Sequence, residues 1–317
     1  MKLFKKTNTL KKSILFPGQG SQYVGMGHDF YKNFKVAKQI YDEVDESLNL
    51  SLSSIIFEDS KGDINLTTNT QPAIMATGVA IFKVLQETNG IKIEDFNFCA
   101  GHSLGEYTAL VCSDSISLKD AAIILRARGN AMQNAVKAGD GAMAAILGSE
   151  SSEIEEIIKQ GHFTSVEISN DNCPGQIVIS GNKEEVGKCC IEIKNKIKKK
   201  TILLPVSAPF HCSLMKPASE KMEELIMQLK LKNPKIPIVS NVNSSETNDS
   251  QLIKKLLIEQ IYKKVRWREI MEYMFANQVY NFIEVGPGKS LSGMLKRFNK
   301  DISIKNFSNL EDLKNKL

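Results

Sequence analysis

The sequence has no apolar run of membrane-spanning length and no C-x-x-C pair. A spanning helix would need about 20 consecutive apolar residues, so the pattern argues against an integral membrane protein. Without a C-x-x-C pair, the six cysteines do not predict a structural zinc site, and no metal site is expected. Most of them lie in apolar surroundings, which is typical of buried thiols in a reducing compartment and predicts a cytoplasmic protein.

The charge is only mildly basic, at +5 with a pI near 8.7. Nucleic-acid binding calls for a concentrated basic stripe with interleaved aromatics, and the densest run, Lys194-Asn-Lys-Ile-Lys-Lys-Lys200, has no aromatic residue. That run is interpreted either as a solvated helix end or as a docking surface for an acidic protein. Residues 1–12 form a basic extension that lacks the apolar core of a signal peptide.

The segment around Ser103 carries the clearest chemical motif. An apolar strand from Phe96 to Ala100 runs into Gly101-x-Ser103-x-Gly105, and a helix follows from Leu104. This is the pattern of a nucleophile elbow, in which glycines are needed because a side chain would clash where the two backbones close. Ser103 is therefore a candidate nucleophile, and the N–H of Leu104 is a candidate donor to a reacting oxyanion.

A glycine-rich loop, Pro17-Gly-Gln-Gly-Ser-Gln22, follows the strand from Ser13 to Phe16. It is not a dinucleotide-binding loop, because G-x-G-x-x-G would place glycine at Tyr23. Two interpretations remain open: a plain tight turn, or a loop whose Gln19 N–H is the second oxyanion donor.

The chain has four histidines, and His211 is the best candidate base for Ser103. It lies in Pro209-Phe-His211, where a predicted strand returns to the main domain. His102 adjoins the serine on a strained turn, so its side chain is expected to point elsewhere. Because no aspartate is placed to orient the imidazole, a Ser–His dyad held by a backbone carbonyl is predicted.

Arg128 lies on the apolar face of a helix predicted from Ser117 to about Ala138, together with Leu125 and Met132. Arg126 falls on the opposite face and is assigned to solvent. A guanidinium stays charged, so a buried one needs an anion. That anion is either a carboxylate of this chain or a ligand.

The element order predicts an α/β protein with an α/β-hydrolase-like large domain, a parallel sheet and the elbow, plus an inserted ferredoxin-like subdomain. From Gly141 the expected order is β-α-β-β-α-β. The predicted boundaries give residues 1–12 as the extension, 13–139 and 208–317 as the large domain, and 140–207 as the small subdomain.

Several motifs together resemble the malonyl-CoA:acyl carrier protein transacylases of bacterial type II fatty-acid synthesis. They occur in the family's order from about Ser13 to Arg297, and they are Phe16-Pro-Gly-Gln-Gly-Ser-Gln22, Thr70-Gln-Pro72, Gly101-His-Ser-Leu-Gly-Glu-Tyr107, Ala127-Arg-Gly129, Asn172-Cys-Pro-Gly-Gln-Ile-Val-Ile-Ser-Gly181, Pro209-Phe-His211, Val265-Arg-Trp267 and Glu284-Val-Gly-Pro-Gly288. The basic extension and Cys173, where many relatives have serine, depart from the pattern.

The resemblance implies a ping-pong transfer through a malonyl ester of Ser103, with His211 as the base and the N–H groups of Gln19 and Leu104 as the oxyanion hole. Arg128 falls on the family's carboxylate-binding arginine, and Gln260 on the glutamine whose backbone carbonyl orients the histidine. Phe210 resembles the malonyl-selective members.

The resemblance also implies the partners. The acyl group is accepted by the phosphopantetheine of an acidic acyl carrier protein, and the enzyme needs no cofactor of its own. A monomer is expected.

Three alternatives share parts of this pattern. A serine hydrolase or thioesterase has the elbow and base but no need for Arg128. A silent acyl-binding or carrier-docking subunit has no need for Ser103 and His211. A separate loading acyltransferase of a polyketide or polyunsaturated lipid system would have the same active site.

Overall fold

The computed structural model describes residues 11–59, 61–206, 208–299 and 302–314. The predicted N-terminal extension lies outside the described residues apart from Lys11 and Lys12. Those two residues belong to the first strand, which begins two residues earlier than the predicted Ser13.

Strands and helices alternate through most of the described chain. The strands are β1 Lys11–Phe16, β2 Phe98–Gly101, β3 Gly141–Leu147, β4 Glu167–Cys173, β5 Gln176–Asn182, β6 Lys200–Leu203, β7 Ile238–Val239, β8 Glu246–Thr247, β9 Val279–Val285 and β10 Ser303–Phe307. The helices are α1 His28–Asn33, α2 Lys35–Leu48, α3 Leu52–Glu58, α4 Thr67–Asn89, α5 Gly105–Cys112, α6 Leu118–Gln133, α7 Ser151–Gln160, α8 Lys183–Ile197, α9 Lys216–Gln228, α10 Ser250–Gln260, α11 Trp267–Ala276 and α12 Ser290–Leu295.

The larger sheet has six strands in the order β10-β9-β1-β2-β7-β8. All neighbours in it are parallel except β7 and β8. Its middle strand β1 is apolar along Ile14, Leu15 and Phe16 because both faces of a central parallel strand are covered. The predicted α/β class with a parallel sheet is confirmed, and the antiparallel edge strand β8 is an addition to the prediction.

The smaller sheet is antiparallel, in the order β4-β5-β3-β6. Its chain order, β3-α7-β4-β5-α8-β6, is the predicted β-α-β-β-α-β arrangement. Helices α7 and α8 pack on it through Ile154, Val186 and Ile193. The domain boundaries at residues 140 and 207 stay a prediction, and residue 207 lies outside the described part of the chain.

Contacts between β4 and α11 join the two sheets. The Asp171 carboxylate accepts hydrogen bonds from Arg268, with Nη2 at 2.8 Å from Oδ2. An isolated parallel bridge pairs Asn170 with Val265 beside this ion pair. These contacts attach β4 of the smaller sheet to α11 and to the segment just before that helix.

In the sequence, Thr70-Gln-Pro72 predicts a helix capped by Thr70 with Pro72 in its first turn. Helix α4 begins earlier, at Thr67, so Pro72 lies inside it. A proline has no N–H to donate to the carbonyl four residues earlier. Here the freed carbonyl of Thr68 accepts a hydrogen bond from Arg126 Nη1 at 3.3 Å. The assignment of Arg126 to solvent was therefore wrong, because its guanidinium compensates for the proline.

Several other element bounds were predicted incorrectly. The helical periodicity from Phe30 to Leu48 predicts one helix. The structure interrupts it at Phe34, whose backbone is extended (φ −130°, ψ 123°). Helix α6 ends at Gln133 rather than near Ala138. The spacing of Ser117 and Asp120 predicts a cap at its start, and this cap is present: Ser117 Oγ accepts from Asp120 N at 3.0 Å. Within the described ranges, no helix has the length and apolar character needed to cross a membrane.

Candidate active site

Ser103 lies at the apex of a tight turn between β2 and α5, with a left-handed backbone (φ 52°). A Cβ on Gly101 would lie 1.9 Å from the carbonyl oxygen of Gly105, and a Cβ on Gly105 would lie 2.4 Å from the oxygen of Phe16. The backbones touch at both positions, so the expected clash that makes these glycines necessary is confirmed. The turn leaves the serine side chain in the space above the sheet.

The Ser103 hydroxyl is hydrogen-bonded to His211, with Oγ 2.8 Å from Nε2. On the other side of the ring, Nδ1 is 2.7 Å from the backbone carbonyl oxygen of Gln260. A carbonyl only accepts, so Nδ1 carries the proton and Nε2 is free to accept one from the serine. Among the described residues, no carboxylate is bonded to this imidazole.

The imidazole is almost fully buried, and burial lowers the pKa of His211 to about 3, with the Arg128 charge as the next contribution. Its pKa is below its ordinary value, so the ring is neutral at physiological pH. A neutral ring with an accepting Nε2 is the protonation state that a general base requires.

Arg128 projects from α6 into the same space and is 1% exposed. Its Nη1 donates to Gln71 Oε1 at 2.6 Å, and its Nη2 donates to Gln260 Oε1 at 2.9 Å and to Ser103 Oγ at 3.2 Å. Within the described part of the chain, no carboxylate forms an ion pair with it, and its Nε has no partner. A buried guanidinium held by neutral amides is open to an anionic ligand.

Gln19 and Leu104 lie on the same side of the turn and line one cavity with Ser103. The loop approaches the elbow so closely that a Cβ on Gly18 would lie 2.4 Å from the His102 carbonyl oxygen. The Gln19 side chain is turned away, and its Nε2 donates to Thr67 Oγ1 at 3.1 Å. Neither backbone N–H donates to a described residue, which suits the two for binding an oxyanion.

The cavity has a volume of about 300 Å³ and lies between the two sheets. Phe210, the residue before the candidate base, is buried in its wall. The smaller sheet and the connection that follows it add an apolar wall made of Met143, Ala145, Val178, Leu204 and Val206. Space of this kind suits a small acyl group with an extended apolar tether.

His102 lines the cavity, but its side chain points away from the Ser103 hydroxyl, as expected, and His211 is the histidine bonded to the serine. The Nε2 of His102 is 2.9 Å from Asn172 Oδ1 on β4, and its ring centroid is 5.5 Å from that of Trp267. Its partners lie away from the serine hydroxyl, so it ties the elbow to the smaller sheet.

Asn241 was missed in the sequence as a functional residue. It follows β7, and its side chain accepts from the Ser103 N–H at 2.7 Å and donates to the Gly101 carbonyl at 2.8 Å. These two hydrogen bonds hold the elbow against the end of the neighbouring strand β7. The available signal was its position at the carboxyl end of a strand, where parallel α/β sheets place their sites.

Gln71 and Glu106 were also missed as contributors, although both lie within quoted motifs. Gln71 contacts Arg128 directly, whereas Glu106 is buried behind the elbow and contacts Gln260. The contacts of both depend on helices that are distant in sequence, and spacing along the chain does not reveal them.

A buried serine bonded to a neutral histidine, with free N–H groups nearby, defines a site for acyl transfer through a serine ester. Residues 14–308 match the family described as "Acyl transferase domain". The chain is 44% identical to the malonyl CoA-acyl carrier protein transacylase of Bacillus subtilis, over 92% of this chain and 91% of that protein. The chain belongs to the malonyl CoA-acyl carrier protein transacylase family and is an acyltransferase.

Solved structures agree with this assignment. An acyl-carrier-protein S-malonyltransferase from Bartonella henselae superimposes with a TM-score of 0.92 at 41% identity, covering 96% of this chain and 97% of that one. A malonyl-transacylase solved in complex with its type II polyketide acyl-carrier protein has a TM-score of 0.92 at 36% identity, covering 97% of this chain and 99% of that one.

Proposed function

We propose that this protein transfers malonyl groups from malonyl-CoA to the phosphopantetheine thiol of an acyl carrier protein, and so supplies fatty-acid elongation. The observation that carries the proposal is the buried Arg128, which is hydrogen-bonded to the nucleophile and has no carboxylate partner among the described residues. A hydrolase or an acetyl transferase has no need for such a group. A malonyl thioester supplies the missing carboxylate.

In the first half-reaction Ser103 Oγ attacks the thioester carbonyl and gives its proton to His211 Nε2. The resulting oxyanion is held by the N–H groups of Gln19 and Leu104. Collapse breaks the carbon–sulfur bond, and the imidazolium returns the proton to the departing CoA thiolate. The Gln260 carbonyl holds the ring in the required tautomer throughout.

In the second half-reaction the carrier thiol gives its proton to His211, and its sulfur attacks the malonyl ester. Ser103 leaves and recovers the proton. Arg128 holds the malonyl carboxylate in both halves, and the buried Phe210 limits the space beside it. These groups and the partner's phosphopantetheine account for every proton, and we propose that no further cofactor takes part.

Intact-protein mass spectrometry tests the proposal. After brief incubation with malonyl-CoA we expect a malonyl adduct, and after addition of holo-acyl carrier protein we expect the mass to move to the carrier. Free malonate without a carrier product would indicate a thioesterase. Absence of any acyl adduct would indicate a silent binding subunit.

The carrier protein is proposed to dock on a basic surface beside the cavity, here called the α8–β6 surface. It comprises the exposed residues Lys194, Lys198, Lys200, Ile202 and Leu203. Strand β6 is an edge strand, and the chain that follows it reaches the cavity through Leu204 and Val206. Lysines around two exposed apolar side chains suit an acidic partner that also buries a few apolar groups.

Charge reversal tests this surface. The double variant Lys198→Glu/Lys200→Glu is expected to raise KM for the carrier protein several-fold and to weaken its salt dependence, with acylation by malonyl-CoA unchanged. The exposed Lys188, on the same helix but paired with Glu184, supplies the control Lys188→Glu. Equal KM values in all variants would refute docking here.

We further propose a monomer in the cytoplasm. All six cysteines are free thiols, a state that a reducing compartment maintains. The oligomeric state is checked by light scattering, and a dimer at enzymatic concentrations would contradict it.

A further inference from the structure

We propose that Glu106 is a positioning residue that fixes the Arg128 guanidinium through the side-chain amide of Gln260. The inference rests on the proposed function, in which Arg128 binds the malonyl carboxylate. It gives a role to a buried carboxylate that the acyl-transfer steps do not use. It also gives Gln260 a second task besides the orientation of His211.

Glu106 contacts the side-chain amide of Gln260. Glu106 lies on α5, three residues after the nucleophile, and is 2% exposed. Its Oε2 accepts from Gln260 Nε2 at 2.7 Å and from the backbone N–H of Asn241 at 3.2 Å. The same Gln260 Nε2 donates to the Ser103 carbonyl at 3.2 Å.

The contacts of the Gln260 amide define its orientation. With Nε2 directed at two acceptors, Oε1 faces Arg128 and accepts from Nη2 at 2.9 Å. If the amide were rotated by half a turn, its oxygen would face a carboxylate and a carbonyl, and its NH₂ would face the guanidinium. Both contacts would be repulsive, so Glu106 and Arg128 together permit one orientation.

Glu106 is separated from Arg128 by one amide and does not touch it, so it orients the amide without occupying the N–H groups that a substrate carboxylate needs. A direct ion pair would leave the guanidinium blocked. Burial raises the pKa of Glu106 to about 7, whereas its hydrogen bonds and the Arg128 charge oppose that rise.

The two tasks of Gln260 are separable because they use different atoms. Its backbone oxygen serves His211, and its side chain serves Arg128. A change at Glu106 should therefore affect the handling of the malonyl carboxylate more than the general reactivity of the serine. The malonyl-to-acetyl ratio of acylation rates measures this difference, and a purely structural role would lower both rates together.

The test compares Glu106→Leu, which removes the acceptor, with Glu106→Gln, which keeps one. In the glutamine variant the Asn241 N–H selects the side-chain oxygen, which can then still accept from Gln260. We expect Glu106→Leu to lower the malonyl-to-acetyl ratio of kcat/KM at least tenfold, and Glu106→Gln to stay within about threefold of wild type. Rates are measured by rapid-quench mass spectrometry on variants with native circular dichroism.

Gln260→Met provides a second route if Glu106→Leu does not fold, because it keeps the backbone carbonyl and removes the amide. It should also lower the ratio at least tenfold. An unchanged ratio in the folded variants that lack the acceptor or the amide would overturn the proposal. So would equal loss in Glu106→Gln and Glu106→Leu. Failure of the wild-type protein to form a malonyl ester would instead refute the proposed function, and the two failures are thereby distinguished.

Discussion

The two sheets contribute different kinds of groups to the same cavity. The part built on the six-stranded sheet supplies the polar side chains Ser103, Arg128, His211 and Gln260, each held by buried hydrogen bonds. The antiparallel sheet supplies mainly apolar surface, including Met143 and Val178. One part of the chain therefore positions the polar and charged groups, and the other determines the shape of the cavity.

The physical reason lies in the ends of the strands. The carboxyl ends of β2 and β7 open on the same edge of the parallel sheet, so the elbow and Asn241 meet there. The antiparallel sheet instead presents one of its faces, and alternate side chains on a face form a continuous wall. Changes in the two parts should therefore have different signatures.

Ser103→Ala is expected to have the largest effect. It removes the proposed nucleophile, so malonyl labelling should disappear and turnover should fall at least about 10⁴-fold. Mass spectrometry of the acylated protein is the measurement, with Ser213→Ala, at an exposed position, as the control. A malonyl adduct on the Ser103→Ala protein would mean that another group is acylated.

Arg128→Ala should have the next largest effect, and it should act on selectivity. Loss of charged hydrogen bonds to the carboxylate should lower the malonyl-to-acetyl ratio of kcat/KM by roughly 10- to 100-fold. Arg126→Ala is the matched control, because Arg126 lies two residues away on the same helix and donates to Thr68 and Asn69. Similar ratios in both variants would refute the carboxylate-binding role.

Glu106→Gln tests the polar part of the site through the pH dependence of the free energy of unfolding. The pKa of Glu106 is raised by burial from 4.5 to about 7, so the native state keeps a proton that the unfolded state loses between these values. The stability that this proton confers is present below about pH 4.5 and is lost as the pH rises through 7. The Glu106→Gln variant has no carboxyl group to titrate at this position, so it does not lose stability in this way as the pH rises.

Thermal or denaturant unfolding of Glu106→Gln and wild type at pH 5 and pH 8 is the measurement. The free energy of unfolding of the variant, relative to wild type, should increase between these pH values by up to a few kcal/mol, since one pKa unit corresponds to about 1.4 kcal/mol. If the difference in the free energy of unfolding between variant and wild type were the same at both pH values, the Glu106 carboxyl group would have an ordinary pKa in the folded protein.

Val178→Ala is expected to have the smallest effect on chemistry. It removes two methyl groups from the apolar wall, so it should cost about 1–2 kcal/mol of stability and raise KM for malonyl-CoA a few-fold. The malonyl-to-acetyl ratio should stay unchanged, because no polar group moves. A changed malonyl-to-acetyl ratio in steady-state kinetics would show that the smaller sheet also takes part in carboxylate selection. It would contradict the division of roles between the two sheets.

Local patterns made much of this architecture predictable. The antiparallel unit was predicted element by element because each strand and helix has its own periodicity and turn residues, as at Pro174-Gly175 between β4 and β5. Ser103 was predicted from a five-residue motif whose geometry depends on its own backbone. The start of α4 before Pro72 was not predicted, because Arg126 from another helix compensates for the hydrogen bond that the proline cannot make. The interruption at Phe34 was not predicted either, because the helical periodicity continues across it.

The sequence by itself determined the α/β class, the elbow and the residue types of the site, because these depend on short-range sterics and on side-chain chemistry. Only the tertiary structure decided what surrounds Arg128. Spacing along the chain allowed either an internal ion pair or a free cation. The outcome depends on α4, α5, α6 and α10 meeting, which places the oxygens of Gln71 and Gln260 against the guanidinium and keeps the Glu106 carboxylate one amide away.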